Sequence, residues 1–186
     1  MTLMTQFLSL GATALATRNF SQVDFGHYTV FQAYLLIVCG FALLSFQLAL
    51  PNVEDQDLGD FMKGLLTLAF LSATLSYGVA KIFLANAALP LAVGIFFYSL
   101  ILMSEQFNIR QGRFDVISFF RPVSALFFAV FLLFFFLTKR TSLSFLLWSQ
   151  VAAFTVSGIS YACISFGPVL KGAWSLGKSY RVLKTQ

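Results

Sequence analysis

Charge is what this chain of 186 residues has least of: Asp, Glu, Lys and Arg together make up 10% of it. A soluble domain carries about 25%, so this chain could not clothe a soluble surface. Histidine is confined to His27, and cysteine to Cys39 and Cys163, both within apolar runs. No disulfide scaffold and no paired-cysteine zinc pattern can be built from these. No Ser/His/Asp set assembles without His27, and no apolar segment holds paired carboxylates. HExxH, Walker and GxGxxG motifs are missing as well. The chain is therefore not expected to be an enzyme, and no catalytic residue, metal or cofactor is assigned. His27, with only Asp24 near it in sequence, reads as a residue at a membrane boundary.

What is present is apolar: 59% hydrophobic, 17% aromatic, mean hydropathy +0.84. That balance points to a multi-span membrane protein. Net charge is +5, but the basic residues sit between and after apolar stretches. This is a loop pattern rather than a nucleic-acid surface, and no nucleic-acid partner is expected. The start, MTLMTQFLSLGATALAT, has no positive n-region, so a cleavable signal peptide is not expected.

Six apolar segments can be delimited: 1–17, and about 26–50, 61–83, 87–107, 116–138 and 143–168. A helix needs about 20 residues to cross a bilayer, which all but the first supply. Runs such as AVFLLFFFL at 129–137 do not alternate as barrel strands must. The expected fold is all-α: about six transmembrane helices in one bundle over 1–168, followed by a tail at 169–186. In that tail Val169, Ala173, Leu176, Tyr180 and Leu183 share a helical face apart from Lys171, Lys178 and Arg181. It reads as a basic amphipathic cytoplasmic helix that lies on anionic membrane lipid, or as a positive stop after the last span. Placing the N-terminus inside puts Lys63, Arg110, Arg113, Lys171, Lys178, Arg181 and Lys184 on the cytoplasmic side. Arg18, Lys81, Lys139 and Arg140 then fall on the other side, so the bias favours two cytoplasmic termini.

The helical faces differ. Thr5, Ser9, Thr13 and Thr17 recur every four residues, a hydroxyl stripe expected to turn toward other helices or a wet cavity. Ser72, Ser76 and Ala80, and likewise Ser149, Ala153 and Ser157, form small-residue faces suited to close helix packing. In the fifth segment phenylalanines cover every side except a strip of Ser118, Arg121, Ser124 and Ala125. An arginine within a span costs at least about 2.5–3.5 kcal/mol on insertion scales, so Arg121 should turn inward and find a partner. Glu105, across the same short loop, is the candidate; the alternative has Arg121 reaching the headgroups while Glu105 pairs with Arg110.

Three stretches carry a family likeness: ATRNFSQVDFGHYTVFQAYLLIV at 16–38, FQLALPNVEDQDLGDFM at 46–62 and QFNIRQGRFDVISFFRPVSAL at 106–126. In order and spacing they resemble the lipid-linked oligosaccharide flippases of O-antigen and capsule synthesis. These polysaccharide biosynthesis proteins belong to the multidrug/oligosaccharidyl-lipid/polysaccharide exporter superfamily. The matching residues are Thr17 and Arg18, then Asp24, Phe25, Gly26 and Tyr28. The Leu48–Pro51 turn follows with Glu54 and Asp55, and finally Arg110, Arg113, Phe114 and Arg121.

The resemblance implies one six-helix lobe, the N-terminal one, of a two-lobe transporter in the bacterial inner membrane. Its cargo would be a lipid-linked oligosaccharide, and its partner a second copy or a separate six-helix lobe. Arg18 and Arg121 would face phosphate, and Thr5, Ser9 and Thr13 would face sugar. The competing expectations are a membrane scaffold without cargo and an inactive, truncated remnant of such a flippase.

Overall fold

The computed structural model describes residues 3–43, 46–54, 57–84, 86–138 and 142–183; the side chains of residues 4, 5, 9, 42, 83 and 167–183 fall outside that description. Every regular element among them is helical: α1 (Leu3–Asn19), α2 (Gln22–Ala42), a 3-10 helix (Phe46–Asn52), α3 (Leu58–Phe83), α4 (Ala88–Arg110), α5 (Phe114–Leu137) and α6 (Leu143–Leu183). Four of them, α3 to α6, are long and apolar enough to cross a membrane, and α2 with the 3-10 helix would make a fifth, bent span. The seventeen residues of α1 are too few for that test. The chain is thus an all-helical, multi-pass membrane protein. α6 continues past 168, so residues 169–183 of the expected tail carry on the last helix. Their side chains, and residues 184–186, lie outside the described residues.

Local chemistry sets the element ends. Ser21 caps α2: its Oγ accepts from the Asp24 N–H at 3.1 Å, and its hydroxyl donates to Asp24 Oδ2 at 2.8 Å. The chain leaves α4 through Gly112, two residues past the helix, whose φ of +66° suits glycine. There the N–H of Arg113 reaches Asn108 O and that of Gly112 reaches Ile109 O, satisfying two terminal carbonyls. The second apolar segment is not one straight helix. Its last residues form the 3-10 turn containing Pro51, a residue that disfavours α geometry just before it. Arg110 of α4 holds that turn by donating to the carbonyls of Leu50, at 3.0 Å, and of Val53. Pro122 lies inside α5, beyond its first turn, because the helix begins at Phe114. It therefore withholds a donor from the Ser118 carbonyl instead of occupying a free first turn.

α4 is the centre of the bundle. It packs on α3, α6, α2 and the 3-10 helix, while α5 packs on α6 and α1. Its buried residues run all round its axis, from Leu91 and Ile95 to Met103 and Phe107. Small residues allow the close approaches. Ser149, Ala153 and Ser157 are all buried on α6, as are Ser76 and Ala80 on α3. At Gly158 an added Cβ would lie 2.8 Å from the Phe97 carbonyl oxygen, so backbone meets backbone between α6 and α4. Hydroxyls inside the helices bond the carbonyl four residues back, as Thr74 does to Phe70, Ser149 to Phe145 and Thr155 to Val151. The outer surface carries large apolar side chains such as Phe70, Leu75, Ile82, Phe119, Val130 and Phe134, as contact with lipid demands.

Candidate functional site

Several polar residues of the helices converge on two adjoining cavities. The first, about 380 Å³, lies among α1, α2, α4, α5 and α6. Thr13, Thr29, Gln32, Arg121, Ser124 and Gln150 give it polarity, and Phe25, Phe128 and Phe154 supply apolar wall. The second, about 370 Å³, shares Tyr98, Arg121 and Ser124 with the first and extends to Glu105, Ser157 and Tyr161. Arg121 stands where the two meet.

Arg121 forms an ion pair with Glu105, its Nη2 donating to Oε1. The partner expected from the short loop between α4 and α5 is the one found. The two side chains are unequally exposed, 44% for Arg121 and 19% for Glu105. The carboxylate is therefore the deeper anchor and the guanidinium opens to the cavities. Beside them the wall is fixed by Tyr28 of α2. Its hydroxyl donates to Gln150 Oε1 of α6 at 2.7 Å, and its ring stacks on Phe128 of α5 at 5.8 Å. Both partners of the hydrogen bond are buried, so it ties two helices together away from water. One turn on from Glu105 along α4 and beside Tyr161 of the second cavity, Asn108 donates to the Ser104 carbonyl at 2.7 Å and to Ser165 Oγ of α6 at 2.6 Å.

Thr13 and Arg121 thus share one cavity, and Glu105 borders the next. Thr5 and Ser9 are helical in backbone, but their side chains lie outside the described residues. Arg18 is exposed in the last turn of α1, where a cation complements the helix dipole, and it lines neither cavity. The hydroxyl stripe of α1 turns inward only in part. Thr13 reaches the cavity, but Thr17 is exposed and bonds the Ala14 carbonyl, while Ala12 and Ala16 form the buried side.

The family-motif residues scatter by role. Asp24 serves the cap of α2, Phe25 and Tyr28 wall the cavity, and Gly26 faces open space. Pro51 lies in the 3-10 helix that Arg110 holds. Arg113 precedes α5 and Phe114 is exposed at its start. His27 is exposed beside a largely apolar cavity of about 290 Å³ with Val30, Phe31 and Leu147. Sequence reading missed Gln32 and Gln150; the available signal was an amide set within a mainly apolar segment. Among the described residues, no three His, Cys, Asp or Glu side chains gather as a metal site would require. No family model matches the chain, and no curated protein or solved structure shows significant similarity to it.

Proposed function

We propose that this chain is one six-helix lobe, with both termini cytoplasmic, of an inner-membrane transporter that moves lipid-linked oligosaccharide for surface polysaccharide synthesis. The observation that supports this reading is the composite cavity: one guanidinium with its paired carboxylate, two carboxamides and several hydroxyls, set in an otherwise apolar bundle. A sugar pyrophosphate cannot cross hydrocarbon unaided, and a cavity of that composition offers what it needs. The Arg121 fork can take two phosphate oxygens. Gln32, Gln150, Ser124 and Thr13 can exchange hydrogen bonds with sugar hydroxyls. A second copy or a separate lobe would close the other side of the path, and rocking of the two lobes would alternate access.

The test is complementation of surface polysaccharide export by Arg121→Ala and Arg121→Lys variants, with membrane abundance measured in parallel. Export should be lost in Arg121→Ala at unchanged abundance and partly kept in Arg121→Lys. A second reading, a membrane scaffold without cargo, is favoured by the Arg121–Glu105 pair itself, which satisfies the arginine internally. It expects normal export from Arg121→Ala, the result that would overturn transport.

A further inference from the structure

On the face away from these cavities, α3 and α4 diverge to leave a groove of about 410 Å³. Phe70, Ala73 and Tyr77 form one wall and Leu89, Val93 and Phe96 the other. The lining is almost wholly apolar; its hydroxyls are those of Tyr77 and Thr74, and Thr74 already donates to Phe70 O at 2.9 Å. One end of the groove is marked by charge. Lys81, in the last turn of α3, holds its Nζ 5.9 Å from the centroid of the Tyr77 ring, so the ring walls the groove and seats the ammonium at once. Among the described residues no carboxylate forms an ion pair with Lys81.

We infer that this groove is a binding site for one anionic phospholipid, with an acyl chain between α3 and α4 and the headgroup phosphate on Lys81. Length supports a single leaflet. From Phe70 to Lys81 the helix rises about 16 Å at 1.5 Å per residue, close to half of a hydrocarbon core about 30 Å thick. Charge supports the headgroup class, since the groove end offers a cation and no acid. Tyr77 lies in the last two turns of α3, next to Lys81, and aromatic side chains are enriched near the ends of membrane spans. This site shares no residue with the cavity around Arg121 and does not depend on the transport reading.

The test uses the full chain in nanodiscs of mixed phosphatidylglycerol and phosphatidylcholine. The lipid retained after mild detergent release is read by native mass spectrometry. Wild type should keep one phosphatidylglycerol in preference to phosphatidylcholine. Lys81→Gln should lower that retention about fivefold, the worth of one lysine at an anionic surface. Thr74→Trp, at an exposed position, should fill the groove and displace the lipid with Lys81 in place. Circular dichroism confirms that both variants fold. Equal retention of the two lipids by wild type would overturn the site, as would unchanged phosphatidylglycerol retention in the two folded variants.

Discussion

Adding one methyl group at Gly158 asks whether α4 and α6 touch as closely as the structure has them. The new Cβ would lie 2.8 Å from the carbonyl oxygen of Phe97, and that atom is backbone within α4, not the end of a flexible side chain. Relief requires one helix to move relative to the other, and overpacking of this kind costs about 1–3 kcal/mol. Against it runs the helix preference of alanine over glycine, about 1 kcal/mol. A contact with backbone belongs at the upper end of the overpacking range, so Gly158→Ala should lose about 1–2 kcal/mol net. Two other glycines calibrate the effect. At Gly94 the nearest atom is Leu35 Cδ1 at 2.7 Å, a side-chain terminus that can rotate away. At Gly78, exposed on α3, an added Cβ meets nothing within 4 Å. Gly78→Ala should therefore be neutral or stabilising, with Gly94→Ala between the two. Unfolding by dodecyl sulfate in mixed micelles, followed by circular dichroism, ranks all three. If Gly158→Ala proves as stable as Gly78→Ala, the backbone approach of α4 and α6 is wrong.

Two further outcomes follow from the same contacts. Tyr28→Phe keeps the stack on Phe128 but leaves Gln150 Oε1 without its donor, and hydrogen bonds between membrane helices average about 0.6 kcal/mol with a maximum near ~1.7. A loss within that range is expected in the same titration, and none at all would remove Gln150 as the partner. Arg110→Met keeps an apolar stem but frees the carbonyls of Leu50 and Val53, so hydrogen exchange should quicken across residues 46–54 while that of α4 stays slow. Unchanged exchange there would show that Arg110 does not hold the turn.

Much of the bundle is legible in the sequence because a long apolar run without breakers has few options in a membrane. The strip free of phenylalanine on the fifth segment marks the inward side of α5 only in part, since Phe120 and Phe128 are buried while Ser118 and Arg121 are exposed, but the short loop before it does bring Glu105 within reach of Arg121. The Ser149–Ala153–Ser157 face reads equally well, because small residues at intervals of four serve one purpose in a helix pair. The bend after α2 is harder to see. Apolar residues continue on both sides of it, and what fixes the turn is Arg110, far along the chain. The face of α1 misleads for a different reason. A threonine can satisfy itself on its own helix, as Thr17 does on Ala14, so hydroxyl spacing alone does not decide which side is buried. Alanine decides it here, because Ala12 and Ala16 let α1 come close to its neighbour. Gln32 and Gln150 line one cavity only because α2 and α6 pack together, and that is tertiary information.

The ion pair at the meeting point of the two cavities bears on how a scaffold and a transporter would differ. Glu105 engages Arg121 through one terminal nitrogen, and a guanidinium carries five N–H donors in a rigid fork. With 44% of the Arg121 side chain still exposed, an incoming oxyanion could meet the remaining donors while the pair stays intact. Glu105 would then orient the fork and stabilise its charge, and would not have to be displaced. On that argument internal pairing and anion binding are compatible, so the pair that favours a scaffold does not exclude transport. Glu105→Gln is the informative change, because it keeps an acceptor for Nη2 while removing the competing charge. If Arg121 serves only packing, this variant should leave anionic lipid binding unchanged. If the guanidinium recognises phosphate, the same variant should bind the anion more tightly, because the repelling carboxylate is gone.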